Sequence, residues 1–240
     1  MTSRSLLLLS TSTMHGGAFL DYCKESVRLH FSELNEILFV PYARPSGISN
    51  DEYTKIVSDC LGEWGLGVRG IHTLENPKKD LLDYGGIYVG GGNTFLLLKS
   101  LYEYDLVKSI QTKVLSGQLK YMGSSAGTNV ACPTINTTND MPIVYPPSFN
   151  ALDLIPFSIN PHYLDPVQGL KHMGESRETR INEFHFHSDR NVLGLREGSW
   201  LEIEADKMNL RGTQSARLFT QGISPSEIAP DQDVSFLLKD

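Results

Sequence analysis

The sequence predicts an α/β protein: a doubly wound, mostly parallel sheet flanked by helices, with a small antiparallel extension toward the C-terminus. Three observations predict it. Short apolar runs alternate with longer amphipathic segments through the first half of the 240 residues, the βαβα rhythm of a sheet covered on both faces. The runs are continuous (SLLLL, EILFV), as in strands buried on both sides. The second half is less regular, with short strand-like runs close together, which suits a hairpin or small flanking sheet.

Taken in order, Ser5–Ser10, Glu36–Val40, Val68–His72, Ile87–Val89 and Tyr121–Gly123 are the expected parallel strands. Ala18–Leu34 puts Phe19, Tyr22, Cys23, Val27 and Phe31 on roughly one side at helical spacing. Asp51–Trp64 follows the capping pair Ser49-Asn50 and stops near Gly65, the polarity expected at helix ends. Thr94–Tyr104 and Asp105–Leu115 are the next helices. Val192–Leu195 reads as a strand. Trp200–Glu204, Leu210–Arg211 and Ala216–Thr220 read as the antiparallel extension, and Val234–Leu238 as a final strand. No linker, repeat or low-complexity tract interrupts the chain, so residues 1–240 are expected to form one α/β domain.

Composition narrows the function. A net charge of −7 argues against nucleic acid or an anionic membrane as partner. It also requires a local basic group wherever an acidic ligand binds. Cys23, Cys60 and Cys132 are odd in number, widely spaced and without C-x-x-C, which suits structural thiols in a reducing compartment. Met1–Leu9 has only four consecutive leucines, short of the roughly 7–15 apolar residues of a signal peptide. No run approaches the ~20 apolar residues of a membrane span. The expectation is a cytoplasmic protein. No H-E-x-x-H and no His/Cys cluster with ligand spacing is present, so neither metal nor cofactor is expected.

Gly123-Ser124-Ser125-Ala126-Gly127 follows a predicted strand and opens a small-residue helix. It reads as a nucleophile elbow, a serine held on a strained strand-to-helix turn with helix amides beside it. Gly90-Gly91-Gly92-Asn93-Thr94 also follows a strand. Its main-chain N–H groups suit a phosphate or, with Ala126, an oxyanion hole; the absence of G-K-[ST] and of a spaced G-x-G-x-x-G weakens the first reading. Both segments lie where parallel sheets bind ligands, outside the carboxyl ends of the strands. Serine needs a base. His162, fixed by Pro161 after an apolar run, is favoured over His172 in a polar loop. His185 and His187, in a charged helical segment, read as solvated surface groups. The base needs an acid to orient it: Glu197, directly after Val192–Leu195, is favoured and Asp140 is the rival. Serine, histidine, acid is not the α/β-hydrolase order, so a different fold with a convergent triad fits better.

Ser125-Ala126-Gly127-Thr128-Asn129, Thr137-Thr138-Asn139-Asp140-Met141-Pro142-Ile143-Val144, Asn160-Pro161-His162, Gly174-Glu175-Ser176-Arg177-Glu178 and the Gly90–Phe95 segment together resemble the peptidase E family of α-aspartyl dipeptidases. The resemblance runs from the first strand to about Trp200 and weakens after it. It implies a fold like class I glutamine amidotransferases with serine in place of cysteine, and hydrolysis of dipeptides with N-terminal aspartate. Ser125 matches the family's nucleophile and His162 its histidine. Its third member matches Glu197, while Asp140 has also been assigned to the relay. Arg177 would hold the aspartyl carboxylate, and Asn93 is a second expected substrate-binding residue. Gly91 or Gly92, with Ala126, would form the oxyanion hole. Ser124 departs from the pattern, because some relatives carry a bulky aromatic there. The expected partner is a small Asp-X dipeptide, with a homodimer compatible with the sequence. Residues 163–174 read as a mobile lid or an ordinary surface loop. Rival expectations are a cyanophycinase-like hydrolase of β-aspartyl substrates and a non-catalytic module binding an acidic metabolite.

Overall fold

The computed structural model describes residues 3–166 and 174–239. β1 (Ser5–Leu9) is buried along its whole length. Successive side chains leave opposite faces of a strand, so Leu6 and Leu8 join one hydrophobic core while Leu7 and Leu9 join the other. After a 3₁₀ turn at Asp21–Cys23 come α1 (Lys24–His30), β2 (Glu36–Val40), α2 (Asn50–Gly62), β3 (Gly67–Gly70) and the short α3 (Pro77–Asp80). β4 (Gly86–Val89), α4 (Thr94–Glu103), α5 (Leu106–Leu115), β5 (Lys120–Ser124) and the one-turn α6 (Ala126–Asn129) follow. The second half contains β6 (Ser158–Pro161), α7 (Arg177–Phe184), β7 (Val192–Leu195), β8 (Ser199–Glu204), β9 (Lys207–Gly212), β10 (Ala216–Thr220) and β11 (Ile223–Ile228).

Among the described residues these strands form two sheets. The larger has the order β3-β2-β4-β5-β1-β8-β9. Its first five strands run parallel, and β8 and β9 extend it as an antiparallel hairpin. The smaller sheet is β11-β10-β7-β6, in which β6 and β7 are parallel and the rest antiparallel. Apolar residues of α4 and α5 (Leu97, Leu98, Leu101, Ile110) cover one face of the large sheet, and those of α1 and α2 (Val27, Tyr53, Val57, Leu61) the other. The mostly parallel sheet flanked by helices is thus present, with a C-terminal part more extensive than expected.

Five elements differ from the sequence expectation. The helix expected over Ala18–Leu34 shrinks to α1, because Leu20 adopts φ 57° and breaks the approach. β3 stops at Gly70, and His72 lies in a 3₁₀ turn. Val234–Leu238 is no strand: Ser235–Leu238 forms a 3₁₀ turn, with the Asp233 carboxylate accepting from the Ser235 N–H at 2.8 Å. Val234 and Leu237 are buried while Phe236 is exposed, a three-residue spacing rather than an alternation. β6 and β11 carry too little apolar signal to be read as strands.

Candidate active site

β5 delivers the elbow. Gly123 pairs with Leu8 of β1 on one side and Val89 of β4 on the other. The chain then swings into α6 through Ser125, whose backbone sits at φ 53°, ψ −110°. A non-glycine residue in such a region costs about 1–3 kcal/mol and persists where its surroundings over-determine it. They do so here. The Ser125 N–H donates to the Leu9 carbonyl at 3.1 Å, and the Thr128 hydroxyl lies 2.6 Å from the same oxygen and 2.8 Å from that of Gly123. Gly127 lets α6 press onto β4, since a Cβ there would collide with the Val89 carbonyl. Beside the serine, Ser124 is fully buried and its hydroxyl meets that of Tyr88 at 2.9 Å. The aromatic ring beside the elbow therefore comes from β4 instead of position 124.

The histidine arrives from the smaller sheet. β6 ends at Pro161, and His162 turns outward at φ 52°. Its N–H donates to Ser10 Oγ at 2.9 Å, and the Ser10 hydroxyl donates to the Leu195 carbonyl at 2.7 Å. Ser10, just past β1, therefore joins the two sheets at the residue that matters. Asn139 Nδ2 donates to the Pro161 carbonyl at 2.6 Å and fixes the same turn from the other side. The imidazole then spans two partners: Nε2 lies 2.8 Å from Ser125 Oγ, and Nδ1 lies 2.6 Å from Glu197 Oε1. A neutral ring protonated on Nδ1 satisfies both bonds, donating to the carboxylate and accepting from the hydroxyl. Glu197 reaches it from the turn between β7 and β8.

The rival acid is elsewhere. Asp140 Oδ2 accepts from the Thr94 N–H (2.7 Å), the Thr94 hydroxyl (2.6 Å) and the Thr138 hydroxyl (3.2 Å). It braces the start of α4 and makes no hydrogen bond to His162. Asn93 is committed too: Oδ1 caps α4 by accepting from the Leu96 N–H at 3.0 Å, and Nδ2 donates to the Met141 carbonyl at 2.9 Å. The expected substrate-binding side chain is thus a helix cap. The glycine run lies against the elbow, where a Cβ on Gly91 would stand 3.1 Å from Ser125 Cβ. The two candidate donors in it differ. The Gly91 N–H donates to the Tyr53 hydroxyl at 3.1 Å, whereas the Gly92 N–H has no acceptor among the described residues. Gly92 adopts φ 145°, and a Cβ there would strike the Ala43 carbonyl. The Ala126 N–H, at the first position of α6, has no intrahelical acceptor.

Arg177 opens α7. It pairs with neither Glu175 nor Glu178: Arg180 lies 3.8 Å from the first and Arg217 3.2 Å from the second. The half-buried Arg177 makes no hydrogen bond or ion pair to a described residue. Burial and the nearby Arg180 lower its pKa, and Asp140 opposes them. His185, expected on the surface, is buried with Nε2 3.1 Å from the Arg190 carbonyl, while His187 is exposed. His172 and most of the expected lid, residues 167–173, lie outside the described residues. Ser10, which ties the His162 turn to β7, has no signal in the sequence beyond a hydroxyl directly after an apolar run.

Residues 6–211 match peptidase family S51. The chain belongs to this family. A Drosophila melanogaster protein named a probable alpha-aspartyl dipeptidase is 47% identical over 99% of both chains. Peptidase E of Streptomyces coelicolor is 48% identical over 98% of this chain and 95% of its own. The crystal structure of a peptidase from an acI-B1 Actinobacterium agrees in fold, with a TM-score of 0.71, 17% identity and 98% of each chain covered. Membership of family S51 makes the chain a serine-type peptidase, as the elbow led us to expect. Among the described residues no helix is long and apolar enough to cross a membrane.

Proposed function

We propose that the protein is a dipeptidase that removes N-terminal aspartate from Asp-X dipeptides through a Ser125–His162–Glu197 triad and an acyl-enzyme. One observation carries this reading: a single imidazole lies within hydrogen-bond reach of both the elbow serine and a carboxylate in a chain 47% identical to a protein named a probable alpha-aspartyl dipeptidase. His162 Nε2 takes the Ser125 proton as Oγ attacks the aspartyl carbonyl carbon. Glu197 holds the ring and stabilises the imidazolium that results. The N–H groups of Gly92 and Ala126 receive the oxyanion. His162 then protonates the departing amine. Water, deprotonated by the same nitrogen, cleaves the ester and releases aspartate. No step calls for a metal or an organic cofactor.

Arg177 supplies the specificity. An arginine without a carboxylate partner among the described residues, in a chain of net charge −7, suits a ligand that brings its own carboxylate. A charge-assisted bond contributes roughly 1.5–3 kcal/mol, about 10–150-fold in discrimination. A panel of Asp-Leu, Asn-Leu and β-linked Asp-Leu on wild type and Arg177→Ala tests this. We expect wild type to prefer α-linked Asp-Leu and the variant to lose most of its Asp-over-Asn preference. An unchanged preference would remove Arg177 from substrate recognition, and faster cleavage of the β-linked peptide would overturn the substrate assignment.

A further inference from the structure

The glycine run is held from below by a side chain remote from the reacting atoms. Tyr53 of α2 is 2% exposed, and its ring meets Phe39 edge-on at 4.9 Å between centroids. Its hydroxyl lies 3.1 Å from the Gly91 nitrogen and 3.3 Å from the Gly91 oxygen, accepting from the first and donating to the second. Burial raises the phenol pKa, so the proton it donates stays in place through the neutral range. Residue 90 must be small for the ring to reach this position: a Cβ on Gly90 would stand 2.8 Å from the hydroxyl and 2.9 Å from Phe39 Cζ. The same loop lies against the nucleophile at Gly91.

Peptide planarity gives this bond a consequence. The Gly91 carbonyl and the Gly92 N–H belong to one trans peptide unit, so they point in opposite directions. A hydroxyl that draws the carbonyl toward the core turns the N–H away from it. No other hydrogen bond among the described residues engages that unit. It is flanked by two glycines, one at φ 145°, where backbone rotation is least restricted. We infer that Tyr53 is a positioning residue for the oxyanion site, its hydroxyl holding the Gly91–Gly92 peptide with the Gly92 N–H directed out of the core beside Ser125. The inference rests on Ser125 as nucleophile and deepens that reading by assigning the group that orients the donor.

Tyr53→Phe removes the hydroxyl and keeps the ring. The expected result on Asp-Leu is a fall in kcat of about 10-fold or more, given that outright loss of an oxyanion donor costs roughly 10²–10³, with KM near the wild-type value. A second readout needs no peptide: the rate at which a fluorophosphonate modifies Ser125, whose phosphoryl oxygen takes the same position, should fall in parallel. Tyr42→Phe is the control, since that buried hydroxyl has no partner and its loss should leave both rates unchanged. Unchanged kcat and modification rate in Tyr53→Phe, whatever its Tm, would overturn the inference, as would a rise in KM alone. If wild type is modified but does not cleave Asp-Leu, the substrate assignment fails and the modification rates decide the role of Tyr53. If wild type is not modified at all, the nucleophile fails and this inference with it.

Discussion

Ser125 and His162 both occupy positive φ, and each has its N–H taken by a group just past or within β1, Leu9 for the first and Ser10 for the second. Two strained turns, each costing about 1–3 kcal/mol, are thereby fixed against one strand, and the 2.8 Å approach of hydroxyl and imidazole follows. The two acids are separated by their surroundings. Glu197 faces His162 Nδ1, whereas Asp140 is surrounded by donors from Thr94 and Thr138. Glu197→Gln should lower kcat by on the order of 10²–10⁴ while leaving Tm near that of wild type, because an amide cannot stabilise the imidazolium. Asp140→Asn should lose roughly 0.5–2 kcal/mol in urea unfolding, the range for a helix-cap group, with a smaller effect on kcat. The opposite order of kcat losses would return Asp140 to the relay. Ser125 and Glu197 were legible in the sequence because each follows a strand-like run, and His162 because Pro161 fixes the chain just ahead of it. Ser10 and Tyr53 were not, since nothing local distinguishes their hydroxyls from others, and Arg177 was singled out by family resemblance alone.

The strands of the large sheet were legible because burial on both faces leaves continuous apolar runs. β6 and β11 obey other rules. β6 (Ser-Ile-Asn-Pro) is wholly buried, but Asn160 Nδ2 donates to the Thr137 carbonyl and to Asn139 Oδ1, so a polar side chain is accommodated in a buried strand that polarity hides. β11 is a mostly exposed edge strand with Pro225 in it, a position that tolerates proline because the missing N–H need not pair. The strand-to-helix elbow depends on a close approach that sequence only hints at. Gly127→Ala places a methyl group against the Val89 carbonyl and should destabilise the fold by about 1–3 kcal/mol or more, read as a lower urea midpoint. Wild-type stability in that variant would show that α6 can move off β4, and the elbow would lose its rigid support.

In the molecule as a whole, a C-terminal hairpin or small flanking sheet was legible, but the assignment of β8 and β9 to the large sheet and of β6, β7, β10 and β11 to the small one was not, because it rests on pairings between distant segments. An ion network spans the smaller one: Arg196 binds Asp165 and Glu227, and Arg217 binds Glu227 and Glu178. Hydrogen bonds from Arg196, then Ser215 and Arg217, outweigh burial and lower the Glu227 pKa from 4.5 to about 2. Its contribution to stability is therefore present above about 4.5 and lost as pH falls toward 2, although half-exposure screens its size. His30 acts at higher pH. Burial, and secondarily Lys120, lower its pKa from 6.5 to about 3. Below pH 6.5 the unfolded chain takes up a proton that the folded one refuses, so stability falls through that window. Tm should drop between about pH 7 and 5, before most carboxylates titrate. His30→Leu should flatten that limb and leave the more acid one; an unchanged slope would remove His30 as its cause.

Steady-state hydrolysis of Asp-Leu by Ser125→Ala, with circular dichroism to verify the fold, decides whether the Ser125 hydroxyl attacks the aspartyl carbonyl. A serine nucleophile requires that the variant fold and that its kcat fall by about 10³-fold or more. A folded Ser125→Ala that turns over Asp-Leu at close to the wild-type rate would contradict it.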